Sequence, residues 1–197
     1  MKFNLALRPS NQDGAEGICI PMISGLITGI AANADLAAVC NLDDRPLCVR
    51  LSRLRFVPDT AFAAAQALAF RVNKVYGFTA VHTGGTPTAV QAHHYHQGGI
   101  EGSAVGDRVA LTSISSVIAA TAAITTPTYT AEDADEPEQV AVSSGSTLPA
   151  VFDEYVPVGG LAWVLPKNTG LVLNNVRAFG ATGTGNLYWA IDAYRLG

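Results

Sequence analysis

The chain has 197 residues, of which 49% are hydrophobic and only 14% charged, against roughly 25% charged in an ordinary soluble domain. It is long enough to build its own core without staples, and a surface this poor in charge is expected to meet other protein chains. A net charge of −4 with 12 Lys and Arg excludes the basic face of a nucleic-acid binder.

Cys19, Cys40 and Cys48 are odd in number and form no C-x-x-C pair. That pattern reads as reduced, partly buried thiols in a protein made in a cytosol. The N-terminus shows no signal-peptide pattern. The apolar run from Ile18 to Val39 is broken by Pro21, Gly25, Gly29, Asn33 and Asp35, so no membrane span is expected. Residues 1–40 open on the turn residues of Arg8 to Gly14 and continue as a small, weakly periodic stretch. They are expected to form an irregular N-terminal arm ahead of one domain, residues 41–197.

Leu47 to Val57 is the first convincing strand. Leu47, Val49 and Leu51 share one parity, Leu54 and Phe56 the other, and a phase switch near Ser52 predicts a bulge. The Ala-rich stretch from Thr60 to Leu68 predicts a short helical turn. Alternation returns at Leu68, Phe70 and Val72 and runs on to His82. A Gly84-Gly85 hairpin loop follows, with Val90 to Tyr95 as the return strand. Val109 to Ile114 and Val117 to Ile124 are rich in β-formers or small residues. Residues 125–147 carry Glu132, Asp133, Asp135, Glu136 and Glu138 and are expected as a long exposed acidic loop. Phe152 to Val158, Leu161 to Leu165, Leu171 to Val176 and Leu187 to Leu196 complete the strands. Eight or nine short strands between Gly, Pro and Asn turns predict an all-β domain, an antiparallel sandwich of jelly-roll type.

The histidines are the sharpest local feature, three of the four lying in His93-His94-Tyr95-His96. On a strand, His94 and His96 share a face, and with Glu101 they can supply part of a metal shell. The spacing His94-x-His96-x4-Glu101 resembles the first metal motif of the cupins, which are jelly-roll proteins. In the second cupin motif, however, Ala162 stands where the next ligand belongs, and no His follows His96. No metal or cofactor is therefore expected, and His94, His96 and Glu101 stay as a weaker alternative. No G-x-S-x-G, phosphate-binding or dinucleotide-binding glycine motif occurs, so no catalytic residue is assigned. Trp163, Trp189, Tyr188 and Tyr194 are expected to pack the core or anchor an interface, with sugar stacking as the alternative.

Two stretches carry a family resemblance. One runs from Arg55-Phe56-Val57-Pro58-Asp59-Thr60-Ala61-Phe62 through Ala65 to Phe70, then Tyr76-Gly77-Phe78-Thr79 and Thr83-Gly84-Gly85-Thr86. The other is Leu165-Pro166-Lys167-Asn168-Thr169-Gly170-Leu171-Val172-Leu173-Asn174-Asn175, followed by Ala178 to Gly183 and Asn186 to Asp192. Together they resemble a group of tailed-bacteriophage virion proteins found with the head genes. The resemblance implies a β-sandwich that assembles in many copies, in the nearest role a head decoration (cement) protein. Its implied partners are the major capsid protein and further copies of itself, most simply in a homotrimer, with no membrane and no nucleic acid. Its implied location is the virion, assembled in the host cytoplasm. Such a protein multiplies modest contacts across several shell subunits. Deleting Met1 to Asn11 is then expected to weaken attachment more than folding. The competing expectations are a tail, baseplate or fibre-base component touching a receptor or glycan, and a cupin-like metal enzyme.

Overall fold

The computed structural model describes residues 17–60, 68–78, 86–87, 114–124, 128–132, 138–142, 150–155, 163–178 and 184–195. Among them the elements are all strands: β1 (Gly17–Ile23), β2 (Ala34–Asn41), β3 (Leu47–Thr60), β4 (Leu68–Tyr76), β5 (Thr86–Pro87), β6 (Ile114–Ile118), β7 (Ala131–Glu132), β8 (Glu138–Val142), β9 (Ala150–Tyr155), β10 (Trp163–Leu165), β11 (Thr169–Asn175) and β12 (Thr184–Arg195). They form two antiparallel sheets. The first runs β1-β12-β3-β10, with β9 sharing the β10 side of β3. The second runs β5-β6-β2-β11-β4-β7, with β8 also on β4. The described residues are thus all-β.

The first sheet follows the period-two rule. Leu187, Trp189 and Ile191 of β12 are buried, while Tyr188 between them is exposed. In β3 the buried positions switch parity, from Leu47 and Val49 to Leu54 and Phe56. The cause is a bulge: Ala193 pairs with Val49 but Asp192 pairs with Leu51, leaving Arg50 unmatched. One extra residue turns every later side chain over. The bulge lies two residues from the expected phase switch.

The second sheet breaks that rule. All seven residues of β11 are buried, as are Leu36 to Asn41 of β2. Phe70 packs on Phe56 of the first sheet, ring centroids 6.3 Å apart, so its face looks inward. Gly170 lies on the opposite face, and a side chain there would meet the Phe78 ring at 2.8 Å. Phe78 in turn meets Tyr129 edge-on at 6.0 Å. Aromatic residues therefore cover the outer face, and one cluster of buried side chains draws on both sheets.

Two parts of the expected arm are strands: Gly17–Ile23 (β1) stands at the end of the first sheet, and Ala34–Asn41 (β2) in the middle of the second, between β6 and β11. The supposed boundary at residue 40 falls inside β2. A strand covered on both faces reads as a continuous apolar run, Leu36-Ala37-Ala38-Val39-Cys40, and loses its alternation. Residues 1–16 lie outside the described residues. The acidic stretch is corrected as well. Within 125–147, β7 pairs with Val75 and Tyr76, and β8 pairs with Leu68 to Val72. Acidic residues on such flanking strands discourage further pairing, which is why the segment reads as loop. The expected helical turn (61–67), the strand from Val90 to Tyr95 and residues 109–113 lie outside the described residues.

The sheets are stitched where the chain crosses between them. The buried Asn41 amide donates to the carbonyls of Asp43 (3.2 Å), Arg45 (3.0 Å) and Leu165 (2.9 Å), and its oxygen accepts from the Asp43 amide at 3.1 Å. The second crossover, Pro166-Lys167-Asn168, turns on Asn168 at φ 59°. Asn168 donates its amide to the Asn41 carbonyl at 2.7 Å, and Thr169 Oγ1 donates to the Pro166 carbonyl at 2.6 Å. Lys167 meets Asp44 at 2.9 Å across the two turns. That hydrogen bond and the Asp44 charge hold the Lys167 ammonium above its ordinary pKa. At the neighbouring corner a side chain on Gly25 would collide with the Ala120 carbonyl oxygen, so only glycine lets the chain after β1 approach the chain after β6.

Candidate functional site

The outward face of the first sheet is where large apolar groups meet solvent. Ile23 is 56% exposed and Tyr188 37%, and the two are register partners across β1 and β12. Arg55, also exposed, pairs with Tyr188 from β3. Pro21 and Ala190, the next pair on this face, are half-buried. Leu26, 45% exposed, follows β1, and Val164 of β10 is 42% exposed. Tyr and Arg beside aliphatic side chains are the residue types enriched at protein interfaces. Covering the exposed parts of Ile23 and Tyr188 is worth about 1 kcal/mol each.

The edge beside this face is built differently. The Ser24 amide donates to the Leu187 carbonyl at 2.8 Å, and the Leu187 amide returns to Ser24 Oγ at 2.7 Å. In an antiparallel ladder the inward direction recurs every second residue. Met22 and Ile20 therefore face β12, while Pro21 turns its nitrogen to the outer edge. Proline has no N–H, so a further strand could not pair through the middle of β1. Among the described residues, it is the face and not this edge that suits a contact.

The sequence-predicted site residues separate as follows. His94, His96 and Glu101 lie outside the described residues, as do His82, His93 and Ala162. Among the described residues no three His, Cys, Asp or Glu gather as a metal site. Trp163 and Trp189 are buried in the core, where they cannot stack a sugar. Tyr188 remains on the surface, and the Tyr194 side chain is outside the described set. Cys40 and Cys48 are both buried. Burial pushes the Cys40 thiol up to about 12, which removes it as a nucleophile at neutral pH.

A polar group that the sequence did not single out lies on the outer face of the second sheet. Asn174 donates Nδ2 to Asp35 Oδ1 at 3.0 Å, and the Tyr129 hydroxyl donates to Asp35 Oδ2 at 3.5 Å. Arg71 is the register partner of Asn174 on the other side. On the inner face, Asn175 donates Nδ2 to the Ala31 carbonyl at 2.8 Å, and its own carbonyl accepts from Asn33 at 2.6 Å. Asn33 is held at φ 59°. The only hint in sequence is an Asn pair closing an apolar strand.

No helix among the described residues is long and apolar enough to cross a membrane. Comparison with protein-family models and with curated proteins finds no match for the chain.

Proposed function

We propose that the chain is a structural protein of a tailed-bacteriophage particle, a head decoration protein that binds the major capsid protein. Its two sheets stack as a jelly-roll sandwich, and it acts as a homo-oligomer, most simply a trimer, in a virion assembled in the host cytoplasm. It has no catalytic role. The observation that carries this reading is the register-matched pair Ile23 and Tyr188, large and exposed beside Arg55 on the outward face of the first sheet. Low overall charge supports it, because little of the surface is built to stay solvated. The resemblance of the Arg55–Thr86 and Leu165–Asp192 stretches to virion proteins supplies the particle.

The structure gives those motifs a physical meaning that suits a scaffold. Leu165 to Thr169 is the crossover that joins the sheets, and Arg55 to Thr60 is the far half of β3. Both lie in the strands and crossover that hold the sheets together.

Light scattering of the purified chain, together with binding to capsids stripped of accessory proteins, tests the proposal. A fixed stoichiometry on the shell, lost in Ile23→Glu with Tyr188→Ser, is the expected result. A monomer that leaves the shell bare overturns it. The exposed Tyr188 also favours a second reading, a tail or baseplate component that stacks a glycan on this ring. Binding to cell-surface polysaccharide in place of capsids distinguishes that case. A stoichiometric transition metal lost in His94→Ala would instead identify the cupin-like enzyme with ligands His94, His96 and Glu101.

A further inference from the structure

Asp35, Asn174 and Arg71 stand side by side on β2, β11 and β4, the three central strands of the second sheet. Asn174 shares its strand face with Gly170, so the row points away from the first sheet, towards the covering aromatics. A carboxylate only accepts hydrogen bonds, so the Asn174 amide must turn its nitrogen to Asp35, and it does so at 3.0 Å. Its oxygen is thereby aimed towards the strand of Arg71. That oxygen, Oδ1, is buried and has no partner among the described residues. Arg71 Nε is also buried, and it too has none among them. An acceptor and a donor are stranded at neighbouring, register-matched positions.

We infer that Asp35, Asn174 and Arg71 form one charge-spanning row, completed by a single bound water that accepts from Arg71 Nε and donates to Asn174 Oδ1. Two buried polar atoms left dry cost more than immobilising one water that satisfies both. The site is polar on two sides, as a buried water requires. The backbones that carry the carboxylate and the guanidinium stand two strand spacings apart, about 10 Å, with Asn174 between them. The Asn174 amide and the water carry the polarisation between them, each bond strengthening the next. The row ties the three middle strands together independently of the backbone ladder. Tyr129 adds a fourth member through Asp35 Oδ2.

Two measurements test the inference. A crystal structure of the wild-type chain that shows ordered solvent should place one water at about 2.7–3.2 Å from both Asn174 Oδ1 and Arg71 Nε. A direct contact between those atoms, or a dry gap, overturns it. The second is a mutant cycle by urea denaturation at neutral pH, using Asp35→Asn and Arg71→Met. The double variant should lower the folding constant by about tenfold less than the product of the single effects. In an Asn174→Ala background the two effects should simply multiply. Multiplying effects in the wild-type background would show that no coupled row exists. If a variant fails to fold, the wild-type crystal structure still decides the matter.

Discussion

The two sheets handle the same problem in opposite ways. The first sheet buries one face and leaves Ile23, Tyr188 and Arg55 outside; the second is covered on both faces along β2 and β11. Among the described residues the first sheet therefore exposes apolar side chains, and the second is the one that fixes the fold. The difference also decides tolerance. A polar change on the outer face of the second sheet meets packed atoms, whereas the same change on the outer face of the first meets water.

The sharpest way to break this contrast is a charge placed on each outer face. Val172→Asp, on the covered side of β11, should destabilise the chain by about 4 kcal/mol or more in urea unfolding, because an unpaired carboxylate is buried there. A loss below about 1 kcal/mol would mean that the face is open. Next comes the stitch between the sheets. Asn41→Ala strands the Leu165 and Arg45 carbonyls and should cost about 3 kcal/mol in the same assay. A value near zero would show that the crossovers are held by other contacts.

The covered face also predicts a pH dependence. Cys40 lies opposite Gly170 on β2, on that face. Its thiol titrates near 9.0 when unfolded and near 12 when folded. Between those values the unfolded chain sheds a proton that the folded chain keeps, so stability falls as pH rises. The slope contributed by Cys40 is about 1.4 kcal/mol per pH unit. Urea midpoints measured from about pH 9 to about pH 11 should show it, and Cys40→Ala should remove that component. An unchanged slope in the variant would mean the thiol is not shielded. The smallest effect belongs to the first sheet. Tyr188→Ser should change the stability of the free chain by no more than about 0.5 kcal/mol, yet weaken capsid attachment in co-sedimentation. Loss of folding in step with attachment would place Tyr188 in the core.

Legibility in the sequence followed burial. Leu187, Trp189 and Ile191 alternate because one side of β12 is solvated, and the bulge at Arg50 showed as a parity switch. β2 was hidden inside an expected arm because two-sided burial and small residues erase its period, and β1 because its outward positions carry Pro21 and Ile23 in place of polar residues. β7 and β8 were hidden because their acidic residues mimic a loop. Of the surface site, Tyr188 was named among four aromatics, but Ile23 was not, since nothing local sets its exposure apart from that of Ile20. The row of Asp35 and Asn174 joins positions 139 apart in the chain, and no spacing rule reaches that far.

Pro21 has a consequence for how copies gather. A protein stored at high local concentration with a bare ladder edge is at risk of stacking end on end into fibrils, since each added strand offers the next a template. One absent hydrogen in the middle of β1 caps that growth at its first step. In the proposed oligomer, copies would then meet through the face of that sheet and stop at a finite number of members.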